Sequence, residues 1–335
     1  MPAKSSKRGM MIQPPTLRDV YEARKTIAPY LARTPLHYSA GLSRLFEAEI
    51  YLKHEEYHPL GAFKGRGGIN FLAHLGEEER RRGVITASTG NHGQSIANAC
   101  QIFDARALIA LPAKDPNPLK VAAMEALGAE LVFYGENFDE AKAHAERLAR
   151  EEGYRYVHPT DEPLLIAGVG TQALEIIEDL PDVEVMYMPL GGGSGVSGAC
   201  IVAKGINPEI KVRAVQGEGA PAGYLSWQQG QLVQAPMNTF AEGIATMNGY
   251  ELPQRIIRHL LDDFVLVSDD ELRFAMGLLV EKAHTLAEGA GAAATAGALK
   301  QRESLRGKKV SITISGANTT ADHLAAALKV YHDSP

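Results

Sequence analysis

Short β-branched runs alternate with helical stretches along this 335-residue chain, and glycine-rich turns mark several of the junctions. Strand-like runs fall at 50–53, 84–87, 107–111, 131–133, 185–188, 212–215 and 310–314. Helical patterns lie at 67–75, 92–103, 119–127, 138–151, 197–204, 271–284, 292–301 and 321–331. Thr16 stands as a cap for a first helix through about Leu31, with the acidic Asp19 three residues on. Alternation of this kind implies an α/β fold of parallel sheets covered by helices on both faces. Ligands in such sheets bind beyond the carboxyl ends of strands, where glycine lets the backbone approach them. Three junctions are built for that role: 86–93, 190–198 and 314–318. The biased stretch at 287–298 reads as a small-residue turn entering a tightly packed helix.

Composition narrows the function classes. The net charge of −6 argues against a nucleic-acid binder, which needs clustered Lys and Arg. Cys100 and Cys200 lie in apolar stretches without a C-x-x-C pair, so buried thiols and a reducing cytoplasmic location are expected. No apolar run approaches the ~18–20 residues of a membrane span. The basic start has no apolar segment behind it and does not read as a signal peptide.

Five segments carry candidate chemistry. GGGSGVSG (191–198) follows an apolar strand and opens a helix, where free N–H groups and the helix dipole suit a phosphate. Gly193, Gly195 and Gly198 also satisfy G-x-G-x-x-G, with Glu218 near the end of the next strand, so a nicotinamide dehydrogenase competes. HEEYH (54–58) matches a zinc motif literally, but Pro59 and the strand-like 49–53 disfavour the helix that zinc needs. In PLGAFKGRGG (59–68), Lys64 sits among glycines just after Phe63, and a buried lysine has a lowered pKa that favours Schiff-base chemistry. ASTGNHGQS (87–95) places Ser88, Thr89, Asn91 and His92 at a helix start able to hold a carboxylate or simply to cap the helix. SGAN (315–318) is a turn after the last strand.

In this order and spacing, GAFKGRG, STGNHGQS, GGGSGVSG and FAEG (240–243) resemble the fold-type II pyridoxal-phosphate enzymes, the tryptophan synthase β-like group. The likeness runs from RTPL (33–36) to SGAN and is greatest for the threonine/serine dehydratase (ammonia-lyase) and serine racemase branch. It implies pyridoxal 5′-phosphate as cofactor, with Lys64 as the Schiff-base lysine and Phe63 near the ring. It implies Asn91 on the ring hydroxyl, Ser315 at the ring nitrogen, and a phosphate cradle of Gly191, Gly192, Gly193, Ser194 and Gly195. Ser88 and His92 are expected to hold the substrate carboxylate, and Glu288 to lie near the substrate. Thr89 stands where serine racemases carry a hydroxyl; it either acts on the opposite face of Cα or caps the helix.

The reaction so implied is α,β-elimination of L-threonine or L-serine to a 2-oxo acid and ammonia. Alternatives are an amino-acid racemase and an ammonia-lyase for another β-hydroxy amino acid such as hydroxyaspartate; a cofactor-binding protein without turnover is a further class. Gln216 and Ala222 lack the carboxylates that metal-dependent relatives place there, so no metal is expected, although Glu218 is nearby. The resemblance further implies a small domain (53–158) inserted into a large one (14–52 and 159–335); residues 1–13 read as a loose tail from their own sequence. A homodimer or homotetramer is expected. The twenty or so residues after SGAN are too few for a regulatory module.

Overall fold

Parallel pairing dominates the computed structural model, which describes residues 12–114 and 117–334. Its strands are β1 (Leu36–Tyr38), β2 (Glu49–His54), β3 (Val84–Ala87), β4 (Ala107–Leu111), β5 (Glu130–Phe133), β6 (Arg155–Tyr156), β7 (Val185–Pro189), β8 (Lys211–Gly217), β9 (Asp263–Val267) and β10 (Lys309–Ile314). They form a six-stranded sheet, β1-β2-β10-β7-β8-β9, and a four-stranded sheet, β5-β4-β3-β6. Only the edge pair β1–β2 is antiparallel among the described strands.

The strands are apolar runs because both faces of each sheet are covered. In β7, Val185 and Tyr187 face a cluster with the Asp269–Ala283 and Gly289–Lys300 helices, while Met186 and Met188 face the Pro163–Asp179 and Ser194–Ile206 helices. The small sheet repeats the plan. Val84 and Ile109 pack toward Ile69, Leu72 and Ile96, whereas Ile85 and Leu108 pack toward Ala141 and Ala145 of the Phe138–Glu152 helix. The predicted tight helix at 287–298 is present, with every residue from Gly289 to Ala298 buried.

Several boundaries differ from the sequence reading. The first helix has the Thr16–Asp19 capping box but ends at Ile27, not Leu31; Pro29 has no N–H to continue the ladder. The Pro163–Asp179 helix was not anticipated: it is buried without a break from Leu165 to Ile177, so it shows no amphipathic period. β2 spans Glu49–His54, one residue longer at each end than the strand expected at 50–53. Residues 1–11 of the expected tail lie outside the described residues. Ile12 is held, its carbonyl accepting from Arg255 at 2.8 Å.

Candidate active site

The turns after β3, β7 and β10 meet the 59–64 loop at one place. Phe63 N–H donates to the Ser315 carbonyl at 3.1 Å, and Ala317 N–H donates to that of Gly61 at 2.9 Å. Asn318 donates through Nδ2 to the Leu60 carbonyl at 2.9 Å and to Asn91 Oδ1 at 2.8 Å. Asn91 Nδ2 in turn donates to Glu288 Oε1 at 2.8 Å, so both ends of its amide are engaged.

Lys64 stands immediately before the Gly65–Ala73 helix, its carbonyl accepting from Ser95 Oγ at 2.6 Å. Its Nζ donates to Ser194 Oγ at 3.1 Å and lies 4.9 Å from the centre of the Phe63 ring. Burial pulls the Lys64 ammonium down to about 8. At pH 7 roughly a tenth of such amines are neutral and nucleophilic, against well under a thousandth for an ordinary lysine.

The GGGSG turn has the shape of an anion cradle. Gly193 takes φ +99°, the left-handed region that favours glycine. A Cβ on Gly191 would come within 2.4 Å of the Gly243 carbonyl oxygen, so the FAEG segment lies directly against this turn. The first helical N–H groups have no intrahelical acceptor; the ladder begins only at Ser197, whose N–H donates to the Gly193 carbonyl at 2.9 Å. These residues fit a phosphate group beside Lys64.

At the 88–92 turn the cap is made by Ser88. Its Oγ accepts from Gly93 N–H at 2.9 Å and Gly90 N–H at 3.2 Å. Thr89 is exposed, which corrects the reading of it as a cap. His92 is turned inward, with Nε2 3.0 Å from Thr86 Oγ1, whose hydroxyl donates to the Val157 carbonyl at 2.7 Å. The hydroxyl's proton is thus committed, and His92 Nε2 donates to its oxygen. Burial first, then the Lys64 charge, push His92 down to about 3, so its ring is neutral.

Glu288 occupies the N-cap position of the Gly289–Lys300 helix without a side-chain capping bond. Burial lifts its carboxyl to about 7, against the opposing pull of Lys120 and the Asn91 hydrogen bond. Ser315 is buried, and its Oγ makes a long 3.4 Å hydrogen bond to the Ala290 carbonyl.

Neither competing motif keeps its groups free. After β2, residues Glu55–Tyr57 form a 3-10 turn, not the α-helix a zinc motif needs. Glu55 accepts from Arg66 Nε and Nη2 at 2.8 Å each, and Glu175 joins Arg66 to Lys53 in the same buried network. Burial opposes charge on Glu55, but Arg66 and His58 outweigh it and hold the carboxylate well below its usual range. Thr34 of RTPL donates to Glu55 at 2.7 Å, so this network ties three motifs behind Lys64. Among the described residues no group of three His, Cys, Asp or Glu is placed to hold a metal. Glu218 is half-exposed and paired with Lys300, and Gln216 Oε1 accepts from Tyr224 N–H at 3.0 Å.

One side chain near the site, Lys120, carries no motif signal. Lys120 pairs with Glu242 of FAEG, and both line an opening beside Glu288 with Asn318 and His323. Their pairing joins residues far apart in sequence, which local pattern does not reveal.

Known proteins match nearly the whole chain. It is 43% identical over 304 residues to an L-threonine ammonia-lyase of Thermotoga maritima, covering 90% of this chain and 75% of that one. It is 36% identical over 322 residues to an L-threo-3-hydroxyaspartate ammonia-lyase of Saccharomyces cerevisiae, covering 96% and 98%. The solved serine racemase of Dictyostelium discoideum superposes with a TM-score of 0.86 at 34% identity, covering 91% of this chain and 99% of that one. A family model described as pyridoxal-phosphate dependent enzyme matches residues 27–316. With a lysine of lowered pKa against a glycine cradle, and that match across the fold, the chain belongs to the pyridoxal-phosphate dependent enzymes.

Proposed function

We propose that this enzyme eliminates water and then ammonia from a small β-hydroxy amino acid, L-threonine or L-serine, leaving a 2-oxo acid. The observation that carries the proposal is the Lys64 amine, lowered to about 8 and 3.1 Å from Ser194 of the cradle. Residues 191–195 would take the cofactor phosphate, Lys64 its aldehyde, Asn91 its ring hydroxyl and Ser315 its ring nitrogen, with Phe63 against the ring. When bound, pyridoxal phosphate supplies an aldehyde that takes the substrate's amino group and a ring that draws electrons from Cα.

The chain's own groups do the rest. The N–H groups at the 88–92 turn hold the substrate carboxylate, while Ser88 keeps the turn in shape. The displaced Lys64 amine takes the α-proton, which its lowered pKa suits at neutral pH. A neutral serine at the ring nitrogen favours prompt loss of the β-hydroxyl. The enamine released becomes an imine, and water converts that to the 2-oxo acid and ammonia.

Lys64→Ala is expected to lose both oxo-acid formation and the yellow absorbance of bound cofactor; full activity in that variant would overturn the assignment. Racemisation is the second reading, favoured by the exposed, non-capping Thr89. Chiral analysis of residual L-serine tests it: D-serine is expected to appear with the parent enzyme and to vanish in Thr89→Ala, with elimination largely kept. No D-serine with either protein would remove this reading.

The proposal extends to the whole chain. Bodies at 14–52 with 159–335 and at 53–158 would close over the substrate and exclude water. The protein would work as a homodimer or homotetramer in the cytoplasm, where the buried free thiols Cys100 and Cys200 stay reduced.

A further inference from the structure

The 88–92 turn offers a carboxylate backbone donors but no charged ring, because His92 is buried and neutral. A cation nevertheless lies beside it. Lys120, in the first turn of the Pro118–Ala126 helix, brings its ammonium within 3.5 Å of where a side chain on Gly90 would begin. That helix packs through Met124 on the layer that covers the small sheet. The partner of Lys120 is Glu242, on the large-sheet side, in the segment that lies against the phosphate turn. Both stand at the opening lined by Glu288, Asn117 and His323.

The two partners are unequal. The Lys120 side chain is 12% exposed and Glu242 44% exposed. Glu242 can turn to water at little cost, since half-exposed ion pairs are weak. Lys120 is enclosed, and its ammonium needs an anion wherever it stays. An amino acid arriving at the turn carries one. Exchanging the carboxylate of Glu242 for that of the substrate leaves the charge at the opening unchanged.

We propose that Lys120 binds the α-carboxylate of the amino-acid substrate, and that Glu242 holds Lys120 until substrate displaces it. This rests on the reading of the 88–92 turn as the carboxylate site of an ammonia-lyase. Glu242 is then a built-in competitor, and the two residues have opposite effects on affinity. A pair that merely fastened the two sheets together would give effects of the same sign.

Steady-state kinetics of the holoenzyme with L-threonine and L-serine test this. Lys120→Met is expected to raise KM about 10- to 100-fold, the loss of one charge-assisted hydrogen bond, with kcat changed far less. Lys120→Arg should recover most of that loss. Glu242→Gln should lower KM, by about threefold or more, because nothing then competes for the ammonium. KM moving the same way in Lys120→Met and Glu242→Gln, or staying unchanged in Lys120→Met, would overturn the proposal while leaving the lyase reading intact. If the parent enzyme released no oxo acid, the lyase reading would fall instead. Calorimetric binding of L-alanine would then decide on Lys120, with weaker binding expected in Lys120→Met and tighter in Glu242→Gln.

Discussion

His92 shows how one residue's surroundings reverse its apparent role. At a helix start beside serine and asparagine it looks like a cation for a carboxylate. Enclosed against Thr86 it is a neutral donor, pushed down to about 3. Its folded value lies below the unfolded one, near 6.5, so its stabilising effect is present above pH 6.5 and is lost as pH falls toward 3. His158, down to about 4, acts in the same sense. His92→Gln should therefore flatten the acid side of the stability curve by up to about 1.4 kcal/mol per pH unit, the effect of one proton. Urea unfolding at pH 7, 6 and 5 measures this; an unchanged slope would place the ring in water.

The elements that make the site are joined by close backbone approach. Gly191 touches the carbonyl of Gly243, and Gly198 lets its helix cross the Pro163–Asp179 helix, a Cβ there meeting Gly170 Cα at 2.6 Å. A side chain at Gly191 has no flexible neighbour to push aside, because the obstacle is backbone. Gly191→Ala should displace the FAEG segment and weaken cofactor binding at least about tenfold, a modest cost of roughly 1.4 kcal/mol by comparison with typical overpacking. Absorbance titration of the apoenzyme with pyridoxal phosphate measures it. Affinity equal to the parent's would mean that the turn does not carry the phosphate.

Across the whole molecule, the large sheet supplies the turns after β7 and β10, the small sheet supplies the turn after β3, and Lys64 lies on the chain passing between them. This plan was readable because parallel strands covered on both faces are short apolar runs, as in β3 and β4. The glycine and capping residues at their ends marked the turns in the same way. What stayed hidden has physical causes too. The Pro163–Asp179 helix is buried on all sides and shows no stripe. β1 is a three-residue edge strand, too short for a period to show. Arg66 finds Glu55 and Glu175, and Lys120 finds Glu242, through tertiary packing alone. The true partner of Glu55 in HEEYH was hidden for the same reason: Glu55 answers to Arg66, 11 residues on.

The account depends on which amine meets the cofactor, and borohydride trapping reads that directly. Reduction of the yellow holoenzyme, then proteolysis and mass spectrometry, should find a phosphopyridoxyl group on the peptide containing Lys64. The same label on any other lysine, or a reduced protein without it, would contradict the account.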